Sequence, residues 1–417
     1  MVATERTAPM RILILTQYFW PENFRINDVV QGLAERGHEV TVYAGLPNYP
    51  QGRYYDGYSF LGPLRERYGR VPVHRAPLIP RGSGGRIRLL LNYASHALFA
   101  TVLAPWLARG GFDAILVYEP SPITIGIPAR VLRALKRAPV LLWVQDLWPE
   151  SLAATGALRN RALLRATGSL VRWIYRGCDR VLVQSRAFAA SIEAHGVPRE
   201  RIGYLPNSAE SFYRRVPRAA ASAEDGEMPQ GFRVMFAGNI GAAQDFATIL
   251  SAAERLRGRS DIQWIIVGDG RMRPWVEEQV RARGLQKTFH LLGQRPPESM
   301  PRYFAQADVL LATLRREPIF AYTIPSKLQS YLACGRPVVA ALEGEGGRIV
   351  SEAGAGWAVA PEDPQALADA VLAAAAASGT EREAMGNRGE AYFREHFERE
   401  KLLSRLEQEL AMAQTQT

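Results

Sequence analysis

The chain predicts an α/β protein of two doubly wound parallel sheets, each covered by helices on both faces, the two facing across a cleft. Three observations carry that expectation. Short runs that are apolar on both faces, such as Arg11–Thr16 (RILILT), alternate with stretches of helical spacing, the pattern of a parallel sheet buried on both sides. The alternation stops at a polar stretch rich in Ala, Glu and Pro, Pro217–Gln230, and then starts again. With 417 residues, 47% hydrophobic and 22% charged, the chain is long enough for two cores and too apolar for disorder.

In the first cycle Arg11–Thr16 is a strand, and Ile26–Arg36 is a helix through Val29, Val30 and Leu33 that stops at Gly37. Strands follow at Val40–Tyr43, Ala114–Tyr118, Val140–Val144 and Arg180–Gln184, with helices at Ile123–Arg137 and Arg159–Arg176. The second cycle places strands at Arg233–Ala237, Trp264–Val267, Thr288–Leu291, Val309–Ala312 and Pro337–Ala340. Domains are therefore expected at 1–215 and 216–395. The charged helical stretch Glu381–Ala411 gives residues 396–417 as a terminal helix, either crossing back to the first domain or solvated.

Cys178 and Cys334 lie far apart, the six histidines are scattered, and neither set has metal-ligand spacing, so no protein-held metal is expected. Met1–Met10 has no apolar signal-peptide core, which together with the scarce cysteines predicts a cytoplasmic location. Charge is divided unevenly. Residues 1–210 hold 26 basic and 15 acidic side chains, a balance of +11, while 211–417 hold 25 and 26, a balance of −1. Only the first half is expected to meet an anionic partner, a nucleic acid or a membrane surface.

Chemistry concentrates where strands end. In Ile324–Pro337 Ser326 is placed to cap a helix, Gly335 ends it, and Lys327 stands in its first turn, so the free N–H groups around Ser326 and Leu328 form a seat for phosphate. Three glycine turns follow strands: Gly238-Asn239-Ile240-Gly241, Gly268-Asp269-Gly270 and Gly293-Gln294-Arg295. Four such loops on one sheet edge favour a nucleotide in the second domain. None is a P-loop, which leaves ATP hydrolysis of that type unsupported.

These motifs resemble, in order, the GT-B glycosyltransferases of family 4, and over the whole chain the WbuB and WcaI kind of bacterial O-antigen, capsule and colanic acid enzyme. The matching blocks are Gln17–Asp28, Leu46–Pro50, Gln145–Glu150, Leu205–Ser208, the glycine turns and Pro325-Ser326-Lys327. The resemblance implies two Rossmann-like domains and transfer of a sugar from a nucleotide-sugar, most simply UDP-linked, with retention of configuration. The nucleotide-sugar is a substrate, and no cofactor and no catalytic metal are implied. Donor-binding positions are Gly238, Asn239, Gly268, Gly270, Gly293, Arg295, Pro325, Ser326, Lys327, Leu328 and Ser330. Two departures stand out. The family's paired Glu fall at Tyr322 and Ser330, and its phosphate-binding Arg and Lys at Asn239 and Gln244, so other donors must meet the charge on the leaving diphosphate. Lys327 is the first candidate and Arg25 the second. Glu22 and Asn23 match a loop that reaches the sugar, although Asn23 could equally cap a helix. Gln145 and Asp146 end a strand where relatives place His-Asp; Asp146 either orients the acceptor or caps the next helix. Asn207 is a further sugar or acceptor candidate.

Between Arg65 and Arg88 seven arginines face one acid, Glu66, and Leu89–Ala108 then runs twenty residues without charge. That length suffices for a span, but Asn92, Ser95 and His96 share one helical face, Pro105 interrupts the run, and a span would split one domain's strands across a membrane. A core helix or a helix on a membrane surface remains, with Arg81, Arg86 and Arg88 as membrane contacts. A second series, Arg159, Arg161, Arg165, Arg172 and Arg176, is interleaved with apolar residues. The expected partners are a nucleotide-sugar, a lipid-linked saccharide and an anionic membrane surface at the inner face of the cell membrane, and no nucleic acid. A sugar-nucleotide epimerase of similar fold and a basic nucleic-acid-binding protein are the alternatives.

Overall fold

A computed structural model describes residues 8–83, 85–154, 158, 160–218 and 228–415, with only the backbone of Arg86. Residues 219–227 of the expected linker, Arg159 of the second arginine series and the Arg86 side chain lie outside the described residues. The chain forms two compact units. One joins the residues up to Pro206 to Leu402–Thr417, and the other is Asn207–Lys401. The division thus falls nine residues ahead of the boundary read from the sequence at 215.

The first unit holds β1 (Arg11–Thr16), β2 (Glu39–Gly45), β3 (Arg65–Tyr68), β4 (Val71–Ala76), β5 (Ala114–Glu119), β6 (Val140–Val144), β7 (Arg180–Val183) and β8 (Ile202–Tyr204). Their order is β3-β4-β2-β1-β5-β6-β7-β8, parallel throughout except for β3 against β4. β5 and β6 are buried along their whole length, as the continuous apolar runs require. β3 and β4 carry no such run. They form because Arg75, fully buried, donates to Glu66 across the pair and to the carbonyls of Gly45 and Trp20. Arg75 therefore belongs to the interior and leaves the arginine series read as a surface.

Two helices of this unit bear on the site: α1 (Arg25–Glu35) and α2 (Arg86–Leu107). α2 leads from β4 to β5, both in the one sheet, so it lies on the unit and does not cross a bilayer. The stretch read as one terminal helix is two, Gly379–His396 and Arg399–Thr415, parted at buried Phe397. The second brings Leu402, Leu403, Leu406 and Leu410 into the core of Ile12, Ile14, Val42 and Leu116. Polar bonds fix its register. His38 accepts from the Met10 N–H on Nδ1, leaving its Nε2–H to donate to Glu407 at 2.9 Å, and Arg180 donates to Glu409 at 2.8 Å.

The second unit holds β9 (Phe232–Ala237), β10 (Ile262–Val267), β11 (Phe289–Gly293), β12 (Val309–Thr313), β13 (Val338–Ala341) and β14 (Gly356–Val359), ordered β11-β10-β9-β12-β13-β14 and all parallel. Alternate strand residues feed two cores. Met235, Ile265 and Leu310 meet Leu328, Tyr331 and Leu332 on one face, while Val234, Trp264 and Ile266 meet Ile249, Leu250 and Leu367 on the other. In each unit the strand order reverses beside the first strand, between β1 and β5 and between β9 and β12. Crevices for ligands open at the carboxyl ends of such strands.

Candidate active site

In the second unit the switch point gathers the first glycine turn, the end of β12 and the helix Ser326–Ala333. Lys327 Nζ lies 3.7 Å from the centre of the Phe236 ring and donates to Gln244 Oε1. A Cβ on Gly238 would stand 3.7 Å from the same Nζ. Gln244 is held by its own backbone, its carbonyl accepting from Thr313 Oγ1 at 2.5 Å. No carboxylate pairs with Lys327 among the described residues, and burial lowers its ammonium to about 7. A cation held only by an amide and a ring face is set to receive an anion.

The helix opens differently from the sequence expectation. Pro325 is its N-cap and makes no side-chain cap, Ser326 is its first helical residue, and Ser330 turns back to the Ser326 carbonyl at 3.4 Å. No side chain caps the early N–H groups, and the Leu328 N–H, expected to be free, donates to the Pro325 carbonyl at 2.9 Å. Gly335 ends the helix at φ +62°, as expected. The other glycines serve packing between loops. A Cβ on Gly268 would meet the Gly238 carbonyl at 1.9 Å, and one on Gly270 the Ile240 carbonyl at 2.5 Å. Ile240 N–H donates to Asp269 O at 2.8 Å and Gly268 N–H to Gly293 O at 2.9 Å, so the three turns form one edge. Asn239 and Arg295 are exposed on it. Asn207, in this unit, accepts on its carbonyl from Gln329 Nε2 at 2.6 Å.

In the first unit the loop after β1 is tied by Glu22, which is fully buried. Its Oε1 accepts from the Asn48 and Tyr49 N–H groups at 2.7 and 2.6 Å, and its Oε2 from Phe19 N–H at 3.2 Å. Burial nevertheless raises the carboxyl to about 7. Glu22 is thus a clamp between two loops and not a free sugar ligand. Asn23 is exposed and does not cap α1, whose N-cap is Phe24; Asn27 instead accepts from Trp20 N–H at 3.1 Å. Arg25 is the first residue of α1, half-buried. From α2, Asn92 joins the network, accepting from Gln17 Nε2 at 2.8 Å and donating to the Ile79 carbonyl at 2.7 Å.

Asp146 follows β6 and accepts from Trp148 Nε1 and Ser151 Oγ, both at 3.2 Å, so its carboxylate is engaged with the start of the helix Glu150–Ala154. Burial raises it. Gln145 N–H pairs with the Glu119 carbonyl at 2.9 Å. Glu119 itself escaped the sequence reading. It ends β5 at the switch point, fully buried, and burial followed by the Asp146 charge raises its carboxyl well above the usual range. One glutamate inside a buried strand gave no periodic signal. Among the described residues no group of three or more His, Cys, Asp or Glu is placed to hold a metal.

Two Rossmann-like units, each with its strand order reversing beside the first strand, are the architecture of the GT-B glycosyltransferases. The chain belongs to family 4 of these enzymes: residues 23–208 match the glycosyl transferase 4-like domain and residues 231–376 the glycosyl transferases group 1 model. It is 26% identical over 346 residues to a protein of Escherichia coli K12 named for colanic acid biosynthesis glycosyl transfer, WcaI, covering 80% of this chain and 84% of that one. It is 28% identical over 357 residues to the glycosyltransferase WbjE of Pseudomonas aeruginosa, with 79% and 86% covered. Among solved structures it is similar to Anabaena HepE in complex with UDP, with a TM-score of 0.70, 17% identity, and 97% and 100% of the chains covered. Sucrose-phosphate synthase of Thermosynechococcus elongatus gives 0.73, 17%, and 97% and 99%.

Proposed function

We propose that the protein transfers a sugar, of deoxy or acetamido type, from a UDP-linked donor to a polyprenyl-diphosphate-linked saccharide. Transfer takes place at the cytoplasmic face of the cell membrane, in cell-surface polysaccharide assembly, with retention and without a catalytic metal. The observation that carries the donor half is Lys327, held by neutral partners beside Gly238 and the uncapped helix start. As the bond to the sugar breaks, negative charge grows on the leaving diphosphate, and a preorganised ammonium there lowers the barrier. Lys327 supplies in one group what Asn239 and Gln244 cannot. UDP in HepE and the colanic acid role in the name of WcaI support the donor and the setting. In the first unit the Glu22 clamp holds the loop at the end of β1 rigid for an acceptor, with Arg25 at its end.

A thermal-shift screen across UDP-, GDP- and dTDP-sugars tests the donor, since a ligand that binds only the folded state raises the midpoint. A UDP-sugar should give the largest shift, and Lys327→Ala should remove most of it. A larger shift with GDP- or dTDP-sugars overturns the choice of base. Donor consumption with no saccharide product on any lipid-linked acceptor overturns the transfer.

A further inference from the structure

α2 buries polar groups and exposes an apolar stripe. Its inward side carries Asn92, Ser95 and His96 beside Ala97, Ala100, Ala104 and Leu107, all buried, and burial drives the His96 imidazole down to about 3, so that side adds no charge. Ile87, Leu91, Ala94, Leu98, Val102 and Pro105 follow one another at helical spacing along the outer side, and every one is exposed. At 1.5 Å per residue that apolar stripe is about 27 Å long. Ile87 is 77% and Leu98 58% exposed, with Trp106 beside them at 55%. The turn closed by Ser59 and Gly62 extends the patch, because Phe60 stacks edge-on against Phe99 at 5.4 Å and Leu61 is 87% exposed. A helix whose outer side meets water carries polar residues there, and an apolar patch this long marks a contact surface.

The surrounding charge selects the occupant. No Asp or Glu occurs between Glu66 and Asp113, a range that includes all of α2, while Arg88 and Arg109, both exposed, stand at the two ends of the stripe. Pairing with a second copy would set arginine against arginine, Arg88 beside Arg109 if the helices ran antiparallel and each against itself if parallel. An anionic lipid surface satisfies both the stripe and its ends. We infer that α2 lies along the bilayer surface with this stripe, Phe60 and Leu61 inserted at the boundary of headgroups and acyl chains, and Arg88 and Arg109 among the headgroup phosphates. The inference deepens the membrane-face reading above and rests on it for its setting. The contact also reaches the site, because Asn92, on the inner side of the same helix, holds Gln17 at the end of β1.

The test uses the full chain and vesicles of phosphatidylethanolamine and phosphatidylglycerol. Wild type should float with them, keep part of its binding in high salt, and show quenching of Trp106 by bromine on the upper acyl chain, a signal that Trp106→Phe removes. Leu91→Glu, Leu98→Glu and Val102→Glu together should weaken binding at least about tenfold. Leu135→Glu, at an exposed leucine of another helix, should leave binding unchanged. Far-UV dichroism and the shift with UDP-sugar should stay as in wild type, which shows the triple variant folded. Undiminished flotation of the triple variant overturns the inference, as does a wild-type dimer that the triple variant splits. Transfer to a short soluble acceptor separates the two readings: if wild type carries it out yet does not float with the vesicles, the surface assignment falls and the sugar transfer stands.

Discussion

Lys327 has an ammonium near its midpoint at neutral pH because burial lowers it to about 7, and under the proposed function a bound diphosphate would restore the charge. Lys327→Ala should lower turnover by roughly two to three orders of magnitude, the scale of losing one charge-stabilising donor. Donor affinity should weaken as pH rises through 7 toward 9, because each step must then recover a proton that the free enzyme has lost; the slope should vanish in Lys327→Ala. Titrating donor binding by calorimetry at several pH values checks both. Glu22 works in the other direction. Its carboxyl is raised to about 7 from an unfolded value near 4.5, so the folded state holds the extra proton between those values, and this contribution to stability is full below 4.5 and lost as pH rises through 7. Glu22→Ala should flatten that part of the pH-stability curve and lower stability overall by removing the acceptor of three backbone N–H groups. The motif around Pro325 made Lys327 stand out in the sequence, and the structure puts its ammonium beside Gly238 and Gln244. At Glu22 and Asp146 the sequence shows only residue type: the N–H groups that occupy Glu22, and the indole and hydroxyl that engage Asp146 at the start of the helix it was also expected to cap, come into view only in the structure.

At the scale of elements, the helix Arg399–Thr415 completes the core of the first unit. Leu406 is 1% exposed, and Leu406→Ala should cost about 2–5 kcal/mol, read as a lower denaturation midpoint with the second unit's donor binding retained. The strands apolar on both faces were evident from pattern alone, since β5 and β6 need no knowledge of the rest of the chain. β3 and β4 were not, because RERYGRVPVHRA reads as polar surface and becomes sheet only through the Arg75 to Glu66 pair. The Arg161–Arg176 helix starts two residues later than its pattern suggests for a local reason: Asn160 caps it, accepting from Ala162 and Leu163 N–H groups. α2 showed its length and its polar face in sequence, but periodicity cannot say which face looks inward.

Across the whole molecule, the chemistry is proposed to need no metal, so activity should persist in excess EDTA with a purified donor and acceptor. Strict dependence on added Mg²⁺ or Mn²⁺ in an initial-rate assay would sink that reading.

The return of residues 402–413 to the first core sets the order in which the protein can be made. A ribosome releases the eight strands of the first sheet in order, from β1 through β8, yet their core lacks one wall until Leu402, Leu406 and Leu410 appear, after all of 207–401 has emerged. The second unit, continuous in sequence, can close on itself during that interval. Synthesis therefore runs with the first-made half finished last, and a chain stalled before residue 402 leaves Ile12, Ile14 and Leu116 open to chaperones while a folded donor unit already hangs from it.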